Sequence, residues 1–529
     1  MHFRIKALNY PDGNKRAYSI PLCGDQSKYI MVRLSILLVL SMWLNLPGQA
    51  NDLYLGAATA DISPKLPVAL MGQFHMRIAE TADTPLYAAI VAIESREGQT
   101  GMDTAVFVSC DLVYISARLR QELRDEVAKR MPGFNVNKII VSATHTHTAP
   151  VLEDDLDEAS FIYPIPEEGV TKVKDYRALF VRNVADAIEE AWENRAKGSV
   201  TWGMERAAVG YNRRSVYKDG TSVMYGDTNK EEFQSLEGYE DHDINALFFW
   251  NDDDKLLAMS IDVACPAQEF EHKTTVNADY WHPVREKLKK RFGNELGVLG
   301  WIGAAGDQSP HSMYRKAGLA RMLELSQKTR LDDIADRIIR AVENTYEIVK
   351  NDRHSDIAFL HRMENLELPM RVITKEEYLE SEKVVKECKE QIAADPDKAP
   401  LLYAKMTWFG DVLKRYKAQQ KNPEATYASE IHVIRIGDVA IATNQFEMFT
   451  DYGIRIQARS KALQTFVVQL AGPGTYLPTE KAMKGGGYSA VCQSNVVGAE
   501  GGQLLVDRTI AIIDSFWEEN EAVQLKTKL

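Results

Sequence analysis

Two histidines one residue apart, His145-Thr146-His147, follow directly on the apolar run Lys138–Ser142. In open α/β sheets ligands collect at the carboxyl ends of strands. Side chains at i and i+2 of an extended chain share one face, but a ligand beyond a strand end is met only as the chain turns. The spacing therefore predicts one metal ligand plus one supporting or proton-transfer group, with a purely structural pair as the alternative. Four more polar stretches also stand beside strand-like runs. Gly303-Ala304-Ala305-Gly306-Asp307-Gln308-Ser309-Pro310-His311 follows Val298–Ile302 and fits either a ligand-approaching loop or a tight turn. Thr443–Phe449 carries Glu447, a carboxylate that can ligate a metal or complement a helix dipole. Gly472–Pro478 presents Tyr476 between glycine and proline, and Tyr211–Ser215 brings Arg213. Imidazole, carboxylate, phenol and guanidinium are groups that metal and catalytic sites use, and each stretch taken singly is a modest signal.

The elements that must position these groups alternate along the chain. Strand-like runs at Thr104–Ser109, Lys138–Ser142, Val298–Ile302, Ile431–Ile436, Val439–Ala442 and Thr465–Leu470 are interleaved with helical spacing at Ile115–Met131, Asp175–Arg195, Pro283–Phe292, Leu331–Val349 and Gln503–Phe516. Ala246–Trp250 and Leu256–Val263 read as a hairpin around an Asn-Asp-Asp-Asp turn. The pattern predicts an α/β fold, a large mixed-sheet domain over 51–529 with flanking helices. Lys375–Ala394 and Leu401–Gln420 flank a Pro-Asp turn, which predicts a helical hairpin inserted at about 374–422, as a lid, an oligomer contact or a solvated excursion.

A net charge of -12 with no block of Lys or Arg excludes a nucleic-acid groove. Met31-Val32-Arg33, the apolar run from Leu34 to Leu46 and a small residue at Ala50 form a secretory signal, so Met31 is the expected start and 1–30 precede it. The run is too short for a comfortable membrane span, so no integral span is expected after signal removal and the protein is expected outside the cytoplasm, secreted or periplasmic. Past that signal remain Cys110, Cys265, Cys388 and Cys492, too scattered for a disulfide scaffold.

Taken in order, these stretches resemble the neutral/alkaline, non-lysosomal ceramidases. Gly56–Pro64 and Met71-Gly72 resemble that family's opening strand and glycine turn, and Val108–Leu112 and Thr144–His147 follow. Asn212-Arg213 resembles its Asn-Arg loop and Gly306–Pro310 its GDxSP motif. Glu447 stands six residues before Gly453, and Tyr476 twelve before Tyr488, as in the family. The resemblance implies one zinc ion per chain held by His145, Glu447 and Tyr476. It implies His147, Arg213 and Tyr488 at the scissile carbonyl and its oxyanion, Ser309 as nucleophile or substrate-orienting hydroxyl, and Gly72 at the pocket wall. Asp307 is expected at the substrate through the same motif.

The sequence departs from the family where a second zinc histidine is expected: Val263-Ala264-Cys265-Pro266-Ala267-Gln268 places Cys265 there. A thiolate ligand is one reading and a buried inert cysteine the other. His272, Asp279 and His282 stand close behind as possible replacements, His282 being expected at the substrate. Lys484-Gly485-Gly486-Gly487 replaces the family's polar stretch, and its C-terminal immunoglobulin-like domain is not expected. The functional expectation is hydrolysis of an N-acyl amide in a small-molecule or lipid substrate by zinc-activated water. The alternatives are a carbohydrate-linked or other polar substrate on the same site, and a binding protein without catalysis.

Overall fold

Side chains alternate along a strand, and in the first long strands both faces are apolar. In the computed structural model, which describes residues 51–527, Ala88, Ile90 and Ala92 enter one core with Val106, Val108 and Val141. Their neighbours Ala89, Val91 and Ile93 enter another with Phe107 and Ile140. A sheet buried on both faces needs a layer on each side. The principal sheet has nine strands, running Gly297–Ile302, Leu256–Val263, Asp243–Asn251, Ala196–Arg206, Asn51–Asp61, Tyr87–Glu97, Thr100–Cys110, Ile139–Ala143, with Asp356–Ile357 beside Asn51–Asp61. Its middle is antiparallel and the pair at each edge is parallel.

One face is covered by helices Ala117–Arg130 and Val173–Glu193, and further along by Trp281–Phe292 and Arg330–Val349. The other face meets a four-stranded sheet, Phe359–Pro369, Thr426–Ile436, Val439–Thr443 and Gln464–Val468, through a core that joins Val91, Phe107 and Trp301 to Ile434, Ile441 and Phe466. Helices Thr450–Arg459 and Ala499–Thr527 close the outer face of this second sheet. The architecture is the α/β mixed-sheet domain with flanking helices that the pattern predicts.

Sequence reading passes over three of the long strands. Tyr87–Glu97 and Ala196–Arg206 adjoin the central strand, and Phe359–Pro369 is an edge strand whose alternation is masked by His361, Arg362, Glu364 and Asn365. It also passes over the helix Lys316–Ser326. Glu447 does not open a helix: Glu447–Met448 pairs in parallel with Tyr476–Leu477, and a helix begins at Thr450.

The helices Lys375–Ala394 and Ala399–Lys421 lie on either side of a short turn, Pro396–Lys398. The first opens on a reciprocal cap: Thr374 Oγ1 accepts from the Glu377 amide (3.2 Å) and the Glu377 carboxylate accepts from the Thr374 amide (2.8 Å). The second lies along the body, where the Ile162 amide donates to Thr407 Oγ1 (3.3 Å), and Lys414 Nζ donates to Leu156 O (3.0 Å) and pairs with Asp157 (2.8 Å). No helix among the described residues is long and apolar enough to cross a membrane. The signal expected at 31–50 lies outside the described residues.

Candidate functional site

Three parallel strand pairs end on the same side of the molecule, and the polar stretches cluster at those ends. Gln469 joins the two sheets there: its amide donates to Ile302 O (2.9 Å), and its side-chain oxygen accepts from the Ala305 (3.1 Å) and Met448 (2.9 Å) amides. The Ala143 amide reaches Leu470 O (3.3 Å) and the Gly306 amide Met448 O (2.8 Å). The loops after 143, 302, 443 and 468 are thereby fixed to one another through backbone.

At the first of these ends the chain leaves extended geometry. His145 has φ +65, a left-handed conformation rare for a residue with a side chain. The result is that both imidazoles come together, with Nε2 atoms 3.3 Å apart and ring centroids 4.8 Å apart. His145 Nδ1 lies 2.6 Å from Val113 O. A carbonyl only accepts, so Nδ1 donates to it and Nε2 is the ring nitrogen left to face the site. That Nε2 faces the Glu447 carboxylate at 3.4 Å.

His147 has its own constraint. Gln268 Oε1 accepts from Arg213 Nη1 (3.0 Å), which leaves the amide nitrogen to donate to His147 Nε2 (2.6 Å). His147 Nδ1 is buried, 3.7 Å from the Glu271 carboxylate. Burial, and then the charges of His145 and Arg77, hold this imidazole well below its ordinary pKa, so it is neutral. Gly72, at φ +106, leaves room for the ring: a Cβ there would stand 2.6 Å from His147 Cγ.

Arg213 is fully enclosed, and its Nη2 donates to Gly306 O (3.0 Å) and the Tyr476 hydroxyl (3.2 Å). Tyr476 lies in register with Glu447. Burial, reinforced by the Glu447 charge, raises its phenol well above the ordinary value. Tyr488 packs edge-on against Tyr476 (5.5 Å).

Gly72, His145, His147, Glu447, Tyr476 and Tyr488 are among the residues lining a cavity of about 430 Å³, and Arg213 stands behind Tyr476. The cavity walls are aromatic: Phe74 lies 4.6 Å from Trp408, 5.4 Å from Phe161 and 5.8 Å from Tyr488. Trp408 belongs to the second helix of the inserted pair, which also brings Asp411 and Lys414 to the cavity, opposite Asp157 and Glu158.

The remaining expected residues lie elsewhere. Asp307 accepts from Asn212 Nδ2 (2.8 Å), the Thr450 amide (2.9 Å) and Thr450 Oγ1 (2.7 Å), and so anchors the Asn-Arg loop from beneath. Ser309 is buried, its Oγ accepting from the Tyr225 hydroxyl and the His311 amide, both at 3.0 Å. Cys265 sits in the apolar core with Val209, Val263 and Tyr280, and burial, then Asp279 and Glu269, raises its thiol well above the ordinary value. His282 lies in the first turn of Trp281–Phe292, near Glu286 and Arg285 and away from the cavity lining. Gln268, Glu271, Tyr225 and Trp408 were not singled out from sequence. Gln268 and Glu271 stand three and six residues past Cys265, in the loop after a strand, which is the one signal that points to them.

Among the described residues no three His, Cys, Asp or Glu side chains converge on one point. Two do, His145 and Glu447, and the Tyr476 phenol beside Glu447 supplies a third donor of a type compatible with a borderline ion. His145 Nε2 and the Glu447 carboxylate face each other at 3.4 Å, the two donor types that a divalent cation takes together. The donor set fits a zinc ion, with Cys265 outside it.

No family profile matches this sequence, and no curated protein matches it. Solved structures similar to it in fold include two ceramidases. One is the neutral ceramidase of Pseudomonas aeruginosa, with 14% identity, a TM-score of 0.61, and coverage of 88% of this chain and 75% of that one. The other is described as ceramidase complexed with C2, with 13% identity, a TM-score of 0.61, and coverage of 88% and 76%. The chain has the neutral ceramidase fold.

Proposed function

We propose that this protein is a secreted, zinc-dependent amide hydrolase of the neutral ceramidase type, acting on an N-acyl amide with a lipid chain. The observation that carries this reading is the meeting of His145 Nε2, the Glu447 carboxylate and the Tyr476 phenol under an aromatic cavity, with His147 and Arg213 alongside. His145, Glu447 and Tyr476 would hold the metal. A zinc ion, when bound, supplies water acidified to a pKa of about 7 and polarisation of the scissile carbonyl. The protein's own groups do the rest. Arg213, fixed by Gly306 O and Gln268, places its charge where the carbonyl oxygen turns anionic, and each donor of this kind contributes roughly 3 kcal/mol. Neutral His147 takes up the proton that the attacking water sheds and passes it to the departing amine as the C–N bond breaks, returning to the neutral ring. Ser309 in this reading orients Tyr225, whose hydroxyl stands 3.5 Å from Arg213 Nη1. Phe74, Phe161, Trp408 and Tyr488 exclude water and receive the apolar chain.

The aromatic panel beside Asp157, Glu158 and Asp411 also suits a carbohydrate-linked substrate. Metal analysis of purified protein, combined with turnover of a fluorescent N-acylsphingosine, tests the proposal. About one zinc per chain with release of the acyl group supports it. Zinc without turnover moves the assignment to the polar substrate, and protein that takes up no zinc refutes it.

A further inference from the structure

The helix Lys316–Ser326 stands off the body. None of its residues is buried, and it is bounded by left-handed residues at both ends, Arg315 (φ +61) and Gln327 (φ +53). Isolated helices shorter than about 12–15 residues are marginal in water. This one has a wide apolar face: Leu319 and Leu323 turn partly inward, while Met322 and Leu325 are 58% and 62% exposed. Around it Arg315, Lys316 and Arg321 stand against the single acidic Glu324, while Lys328 and Arg330 are paired with Asp336 (2.6 Å) and Glu269 (3.3 Å), in a chain of net charge -12.

We infer that this helix docks the protein on an anionic lipid surface. Exposed Leu and Met between basic residues is the composition of a helix that lies in the membrane interface. Charge is screened over about 8–10 Å, so at contact the local cluster outweighs the net negative charge of the molecule. The helix is about 16 Å long and presents far less than the roughly 1,000 Å² of a stable protein interface. Apolar side chains entering lipid have no such area requirement. Position supports the same occupant. Lys316, Leu319 and Leu323 line a cleft of about 570 Å³ whose other wall includes Tyr225 and Glu271. Glu271 is the residue 3.7 Å from His147, so one side chain separates this cleft from the candidate site.

Co-sedimentation of the full chain with vesicles tests the inference and needs no catalytic turnover, so its outcome is separate from that of the hydrolase assignment. The wild type is expected to bind phosphatidylglycerol/phosphatidylcholine vesicles, to bind pure phosphatidylcholine at least tenfold more weakly, and to lose affinity as salt rises. Met322→Glu/Leu325→Glu and, separately, Lys316→Glu/Arg321→Glu are each expected to weaken anionic-vesicle binding at least tenfold while keeping the wild-type circular dichroism spectrum. Absence of wild-type binding overturns the inference, as does unchanged binding in both variants. A dimer in solution that the first variant dissociates, with vesicle binding unaltered, assigns the helix to a second copy of the chain and equally overturns it.

Discussion

Gly72→Ala tests whether the position of His147 matters to the chemistry. Two costs are readable. The glycine sits at φ +106, where a residue with a Cβ is strained by about 1–3 kcal/mol. The added methyl would lie 2.6, 2.8 and 2.9 Å from His147 Cγ, Cβ and Nδ1, against about 3.5–4 Å for a relaxed contact, so the ring must retreat by on the order of 1 Å. A misplacement of that size costs about a hundredfold in rate. Gly98→Ala is the control, because Gly98 also has positive φ (+60) but nothing lies within 4 Å of its Cβ position. Gly98→Ala is expected to lower stability by about 1–2 kcal/mol and leave kcat/KM on the fluorescent amide unchanged. Gly72→Ala is expected to cost more in thermal unfolding and to lower kcat/KM about a hundredfold per folded molecule. If the two variants turn over alike, the placement of His147 is not what the reaction depends on, and its assigned role falls.

His145→Ala is expected to abolish zinc binding measured by plasma mass spectrometry, whereas Cys265→Ala keeps it, because that thiol lies in the apolar core. Asp279 is pushed up to about 7, chiefly by burial. A raised carboxyl stabilises the fold below its unfolded value near 4, and that contribution, on the order of 4 kcal/mol, is lost as pH rises towards 7. Asp279→Asn should therefore flatten this part of the stability curve in urea titrations from pH 4 to 8. For Glu430, burial opposes the charge, but His432 at 2.9 Å and Arg124 at 2.8 Å hold the carboxyl well below its ordinary value. Its contribution is present above the unfolded value and lost progressively as pH falls towards the folded one, and Glu430→Gln should cost about 3–5 kcal/mol at pH 7 and roughly 2 kcal/mol less at pH 3. Trp408→Ala should raise KM for a long-chain amide about tenfold more than for a short-chain one, since its ring forms a wall of the cavity.

The alternation that places Ala88 and Ala89 in different cores, and the apolar runs ending before His145, Asp307 and Tyr476, are periodic in the chain. The α/β class and the order of the polar loops are therefore legible without coordinates, because period-2 burial and turn chemistry are local properties. Local reasoning cannot see that His145 adopts φ +65 and so brings His147 against it, since the contacts that stabilise this conformation, from Val113 and Glu447, come from other loops. The same holds for Gln268 fixing the tautomer of His147 by way of Arg213, for Trp408 arriving from an inserted helix, and for Cys265 facing the core. Sequence by itself determined which residue types stand at which strand ends. Which of those ends meet, and at what distance, was decided by the packing of one sheet on the other, because that contact sums over many residues far apart in the chain.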